Sequence, residues 1–453
     1  MNAGGKRRLW KLRSVFGDVW SAELWPLPAA GVLAAIGLGT VLPRFDADVA
    51  DELPVDLTAY LFGGGPEAAR AVLSAIASSL ITVTSLTFSL TVVTLQLASS
   101  QYSPRLLRTF TSDRVVHIAL TILLSTFVYS VTVLRTVRAS LEEQSAFVPH
   151  LSVTVAYALV VVSVITLVVF LAHLARQIRV ESLLRTVHSE TRVTIRENTE
   201  FGRPVDSAQV PSLPADGVVP LCARSSGFLT ALDDRGLTAA AVDAGAVVFV
   251  HRLPGESLIT GIPVAAAWAL DGERRLTPDT VSVLEERLAA AVRTGYERTA
   301  TQDVAFGLRQ IVDIALRALS PGINDPTTAV HALSHASALL CELAGRALGP
   351  RLLRDGSGQV RVVLRGPDFP MLLELVMAQP RHYAAGDPDV LTRLFMVLRE
   401  VAWSARGPEQ RAAVAEQLVR LRAVVSPTER ARADRLARSV WKAMEGQWES
   451  GPH

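Results

Sequence analysis

The sequence predicts a mainly α-helical, polytopic membrane protein: four transmembrane helices followed by a cytoplasmic α+β tail, in which a small β half-barrel precedes a helical bundle. About thirty residues between Ala71 and Ser100 carry no charge, and a bilayer core of roughly 30 Å needs about 20 apolar residues. Of the 453 residues, 49% are hydrophobic, which is natural for a chain with several spans. Basic residues are clustered near the apolar segments, whereas short strand-like segments separated by turns occur only later in the chain.

The spans and their orientation follow from hydrophobic length and from the charges between them. The expected spans are residues 25–42, 71–98, 115–134 and 151–175. Residues 1–24 combine basic and aromatic side chains, as an interfacial helix does, and no small-residue cleavage site marks a signal peptide. The loop at 43–70 is acidic, whereas arginines follow the second and fourth spans. The positive-inside rule then predicts a multi-pass membrane protein with both termini in the cytoplasm.

The tail divides into three expected segments. Residues 176–216 form a helix extension and a proline-rich linker, and residues 271–453 form a helical cytoplasmic domain, with a loop or hairpin at 354–367. Between them, residues 217–270 contain the strand-like runs GFLTAL and AVVFVHRL around a Pro-Gly turn. Such short strands resemble the compact half-barrel of the biotinyl/lipoyl-like, or barrel-sandwich, family. The turn contains no lysine, so no attached cofactor is expected.

The second span is rich in hydroxyl side chains, which fall on two opposite faces when each residue is turned by about 100°. One stripe supplies the candidate pore-lining residues Ser78, Thr82, Ser85, Ser89 and Gln96. The opposite face carries Thr84, Thr87, Thr91 and Thr94. Two interpretations remain open: close helix packing with hydroxyls bonded to their own backbone, or a water-lined path.

A second candidate site, the cytoplasmic polar corner, lies in the motif FGLRQIVDIALRALSPGINDPTTAV. Its candidate residues are Arg309, Asp313, Arg317, Asn324 and Asp325. The first three repeat every four residues on one helical face, and Asp325 is expected to cap the next helix with Pro326 at its first position. The corner is either a polar pocket or subunit contact, or an ordinary capped helix pair with weak surface ion pairs.

The sequence contains no recognisable catalytic or metal motif, so neither an enzyme nor a cofactor is predicted. GxxxxGK, HExxH and GxSxG are all missing. His331 and His335 are one helical turn apart, but this spacing alone does not predict a metal site. Cys222 and Cys341 are too few for a disulfide framework or a zinc site. The net charge of +2 gives no general attraction to nucleic acid.

Two long motifs carry a resemblance to a known family. IASSLITVTSLTFSLTVVTLQLASSQYSPRLLRTF and, far downstream, FGLRQIVDIALRALSPGINDPTTAV are similar to the bacterial membrane-protein family catalogued as domain of unknown function 2254. The similarity covers nearly the whole chain. It implies an integral inner-membrane protein and assigns no activity or catalytic residue.

Two functional hypotheses follow. The first is an oligomeric ion channel or channel-like pore lined by the second span, because hydroxyls replace part of an ion's hydration without fixed charge. Four spans are few for one chain to enclose a path, so a homo-oligomer in the lipid bilayer is expected. The alternative is a membrane-anchored regulatory or scaffold protein whose cytoplasmic tail binds a ligand or partner near Asn324 and Asp325.

Overall fold

The computed structural model describes most of the chain and divides it into two compact units, residues 1–182 and 183–453. The described residues are 25–49, 61–101, 114–138, 147–177, 180–202, 205, 207–271, 275–384 and 386–448. The interfacial helix expected at residues 1–24 lies outside them.

The first unit consists of four helices, each long and apolar enough to cross a membrane. They are α1 (Pro26–Val49), α2 (Pro66–Gln101), α3 (Arg114–Leu134) and α4 (His150–Gln177). The number of candidate spans and their order along the chain are as predicted. Helices α1 and α2 are longer than expected, and α1 continues through Pro43. The inner membrane and the orientation of the termini remain predictions.

Small residues bring α1 and α3 into close contact. Gly31, Ala35 and Gly39 follow one another at four-residue intervals on α1. A Cβ atom added to Gly31 would lie 2.5 Å from Thr121 Cγ2, and one added to Gly39 would lie 2.9 Å from Thr132 Cβ. Because neither glycine has a side chain, the two helix backbones approach one another as small-residue membrane interfaces allow.

A buried carboxylate joins α1 to the beginning of α4. Asp46 was expected in the acidic loop, but it lies inside α1 and is buried. Its side chain accepts hydrogen bonds from the backbone N–H of Leu151 at 3.2 Å and of Ser152 at 2.9 Å. The Tyr129 hydroxyl donates to the Ser152 carbonyl at 3.0 Å. Asp46 therefore caps α4 from a neighbouring helix, satisfying N–H groups that have no partner within α4.

The second unit begins within α5 (Val180–Asn198) and contains two small sheets. The strands are β1 (Val219–Cys222), β2 (Gly227–Leu232), β3 (Ala246–Val250), β4 (Ser257–Leu258), β5 (Pro263–Ala269), β6 (Val292–Gly295), β7 (Arg351–Arg354) and β8 (Val360–Leu364). One sheet has the order β1-β5-β3-β8-β7 and the other the order β4-β2-β6. Helices α6 (Asp234–Asp243) and α7 (Pro278–Ala291) contribute Leu237, Leu284 and Leu288 to the core around these strands.

The sheets differ from the expected half-barrel because they are not built from residues 217–270 alone. Strand β8 pairs in parallel with β3, placing Val362 opposite Val248, and β6 pairs with β2. The segment around 354–367 does form a hairpin, as predicted, with β7 antiparallel to β8. Its buried valines also complete the larger sheet. A strand whose partner lies over 100 residues away leaves no local signal of that pairing.

The remaining helices pack around a second apolar core. They are α8 (Val304–Ala318), α9 (Pro326–Ala344), α10 (Phe369–Ala384), α11 (Pro388–Ser404), α12 (Pro408–Ala423) and α13 (Arg430–Met444). Leu308, Ile311, Val312 and Ala315 of α8 are buried, as their helical spacing predicts. Asp325 caps α9 and Pro326 is its first residue, which confirms the expected helix start.

Candidate functional site

The two hydroxyl faces of α2 lie in different environments. The pore-lining candidates Ser78, Thr82, Ser85, Ser89 and Gln96 are all exposed on the first unit. On the opposite face, Thr84, Thr87, Thr91 and Thr94 are all buried. The predicted separation of the two faces is therefore present, with one face inside the helical unit and the other on its surface. The exposed face is named the hydroxyl stripe.

Hydroxyls on both faces bond to the backbone of their own helix. In the hydroxyl stripe, Thr82 Oγ1 donates to the Ser78 carbonyl at 3.0 Å and Ser85 Oγ donates to the Ile81 carbonyl at 2.9 Å. On the buried face, Thr91 Oγ1 donates in the same way to Thr87 at 2.8 Å. This is the bonding that the helix-packing interpretation requires. It also leaves each oxygen with lone pairs that can accept a further bond.

Polar side chains also occur inside the first unit. Ser163 Oγ of α4 donates to Thr126 Oγ1 of α3 at 3.0 Å. His117 Nε2 and Ser125 Oγ of α3 are buried and have no hydrogen-bond partner among the described residues. His117 was not among the site residues predicted from the sequence, although an ionisable side chain within an apolar span is itself a signal of function.

A cavity of about 270 Å³ lies between α2, α3 and α4. Its walls are mostly aliphatic, including Leu80, Leu123, Val160 and Leu167, and their hydroxyls come from Ser79 and Ser163. An apolar cavity of this kind offers water few hydrogen-bond partners. It therefore does not resemble a hydrated path through one copy of the first unit.

The polar corner forms a helix cap. Asp325 accepts hydrogen bonds from Thr328 N at 3.0 Å and Thr328 Oγ1 at 2.6 Å. These bonds from Thr328 hold the pKa of the Asp325 carboxyl below its usual range. Asn324 has a φ of +49°, a left-handed conformation that asparagine tolerates better than most residues. Both residues thus have structural roles in the turn that precedes α9.

The three charged residues of α8 differ in their exposure. Arg309 is half-buried and its Nη1 donates to Gln379 Oε1 of α10 at 3.3 Å. Asp313 is half-buried, and Arg317, near the end of the helix, is exposed. The described contacts therefore connect Arg309 to α10 and Asp325 to its own helix.

Four apolar, span-length helices joined to an α+β unit define the class: a multi-pass membrane protein. The chain belongs to the family described as predicted membrane protein (DUF2254), whose model matches residues 21–400. Uncharacterized proteins of Mycobacterium bovis and Mycobacterium tuberculosis are each 36% identical to it over 436 residues. Each alignment covers 94% of this chain and 80% of the relative. No solved structure matches.

Proposed function

We propose that this protein is an oligomeric ion channel or channel-like pore in which the hydroxyl stripe of α2 lines a path between copies of the chain. The observation that supports it is the exposure of Ser78, Thr82, Ser85 and Ser89 on the surface of the first unit. Polar groups within a membrane generally face protein or water rather than lipid. Association of several copies would give the stripe such surroundings.

The chemistry of the stripe suits a path without fixed charge. Thr82 and Ser85 donate their protons to their own helix, so their oxygens present lone pairs to an occupant. Oxygen ligands of this kind replace part of the hydration shell of a cation. The cavity between α2, α3 and α4 has aliphatic walls, which favours a path between copies over one through a single copy.

Replacing Ser85 and Ser89 together by leucine should reduce ion flux into proteoliposomes about tenfold. Each hydroxyl lost removes a net interaction with the permeating ion of about 0.5–1.5 kcal/mol. Losing two of them raises the barrier to permeation enough for a change of about tenfold. The flux assay uses purified full-length protein at a fixed protein-to-lipid ratio, with expression and thermal midpoint measured in parallel.

Ile81→Leu with Phe88→Leu is the matched control, because both residues are exposed on the same helix but lie outside the stripe. This control should retain wild-type flux. Equal flux in the serine double variant and the wild type would remove α2 from the conduction path.

A further inference from the structure

In the second unit, two arginines of α5 and one arginine that follows the end of α9 surround one carboxylate. Arg192 Nε donates to Glu342 Oε2 at 2.9 Å, and Arg196 Nε donates to Glu342 Oε1 at 3.5 Å. Arg346 Nη2 also donates to Glu342 Oε1, at 3.0 Å. These four residues are named the Glu342 cluster. Its three guanidinium groups exceed its single carboxylate, so it carries excess positive charge.

The cluster is fixed on one side and open on the other. Arg346 is buried; its guanidinium lies 3.6 Å from the centre of the Phe201 ring and its Nη1 donates to the Thr199 carbonyl at 3.1 Å. Arg192 and Arg196 are 49% and 55% exposed. Their Nε atoms are used by Glu342, while their terminal Nη groups have no partner among the described residues. Glu342 thus orients two guanidinium forks and leaves their outer edges available.

Two neighbouring histidines have surroundings that favour the neutral imidazole, so they do not add to the positive charge of the cluster. The rings of His188 and His335 are 5.0 Å apart. Burial lowers the pKa of His188, and Arg192 lowers it further, against opposing contributions from a bond to His335 and from Glu342. Burial lowers the pKa of His335 too, with added repulsion from His188, His331 and Arg185.

The pKa of Glu342, the carboxylate at the centre of the cluster, is also lowered. Burial alone would raise the pKa of Glu342, but bonds from Arg346, Arg192 and Arg196 hold it below its usual range. Among the described residues, no three histidine, cysteine or acidic side chains are grouped as a metal site requires.

We propose that the Glu342 cluster binds a phosphate group, presented either by a soluble phosphorylated molecule or by the headgroup of an anionic lipid. Two arginine forks held by a common carboxylate match the planar, bidentate recognition that phosphate oxygens favour. A phosphate dianion offsets the excess positive charge that one carboxylate leaves. This site is independent of the proposed pore, and it differs from the corner at Asn324 and Asp325.

The test uses the full-length protein in nanodiscs and two probes. Pyrophosphate is titrated calorimetrically into protein in neutral phosphatidylcholine nanodiscs. In a second arm without pyrophosphate, hydrogen exchange of residues 185–196 is compared between phosphatidylcholine discs and discs containing phosphatidic acid. The test variant is Arg192→Gln with Arg196→Gln. The control is Arg420→Gln with Arg422→Gln, since these α12 arginines are similarly exposed and also lie in ion pairs.

If the cluster binds a soluble phosphorylated molecule, the test variant should bind pyrophosphate at least about tenfold more weakly than the wild type, because charged hydrogen bonds are lost. The control variant should bind pyrophosphate as tightly as the wild type. Arg192→Lys with Arg196→Lys keeps the charge but removes the bidentate guanidinium geometry, so this variant should lose less affinity than the glutamine variant. If the cluster binds a lipid headgroup instead, pyrophosphate should not bind. Phosphatidic acid should then slow the hydrogen exchange of residues 185–196 in the wild type and in the control variant, but not in the test variant. No response to either probe, or equal losses in test variant and control, would overturn the proposal.

Discussion

Serine and threonine side chains of α2 show how a polar residue can be accommodated in an apolar segment. Thr84, Thr87, Thr91 and Thr94 are buried, and each donates to the carbonyl four residues earlier. A hydroxyl bonded in this way avoids most of the cost of an unsatisfied polar group. The same local bond serves the exposed stripe, so bonding alone does not distinguish the two faces. The two faces of α2 are distinguished by their exposure, since one is buried and the other is exposed.

The pKa values of His188 and His335 make the stability of the second unit depend on pH. Both values are lowered in the folded state, chiefly by burial, so the unfolded chain binds more protons near its ordinary histidine pKa. The free energy of unfolding should therefore fall as pH decreases from about 7 to 5. Thermal midpoints measured without phosphate in the buffer will show this trend.

The variant His335→Gln should reduce that pH dependence, because it removes one titrating group and its repulsion of His188. His382→Gln on α10 is the control, since its side chain is exposed. His251 also has a pKa lowered by burial and by Arg252 and Arg365, so part of the dependence will persist. An unchanged profile for His335→Gln would show that the His188–His335 pair does not couple folding to protons.

The packing of α1 on α3 depends on the small size of Gly31. Gly31→Ala should lower the thermal midpoint of the full-length protein, because the added methyl group would meet Thr121 and Ser125 at less than 3.0 Å. Overpacking of this kind costs about 1–3 kcal/mol. The midpoint is measured by unfolding purified protein in one detergent.

Gly37→Ala on the same helix is the control, since nothing lies within 4 Å of its added Cβ. It should match or slightly exceed the wild-type midpoint, because alanine favours helix over glycine. Equal midpoints for Gly31→Ala and Gly37→Ala would contradict the close contact between α1 and α3.

Elements with local signals could be predicted from the sequence. The span-length helices follow from hydrophobic length, and the start of α9 follows from Asp325 and Pro326. Features that depend on contacts between residues distant in sequence could not be predicted. Asp46 appears as one acid among several in a loop, but its partners are backbone groups at Leu151 and Ser152.

The candidate sites also include features with a local sequence signal and features that depend on distant residues. The helical period predicts the hydroxyl stripe, but both faces of α2 are polar, so only neighbouring helices determine which one is buried. The Glu342 cluster joins α5 to α9, about 150 residues apart in sequence, and no local pattern marks it. The polar corner was visible as a motif because capping is local, and Asp325 is used there as a cap.

The proposed pore requires that several copies of the chain associate so that their hydroxyl stripes meet. In one copy, the cavity between α2, α3 and α4 has aliphatic walls, and the stripe lies on the outside. A conducting path lined by the stripe therefore needs contributions from more than one chain.

The mass of the purified full-length protein in nanodiscs shows whether the copies associate. We expect one discrete species at a fixed multiple of the 48.7 kDa chain, unchanged on dilution within the working range. A single species at 48.7 kDa, after subtraction of the lipid and scaffold, would contradict it, because one copy leaves the stripe facing lipid.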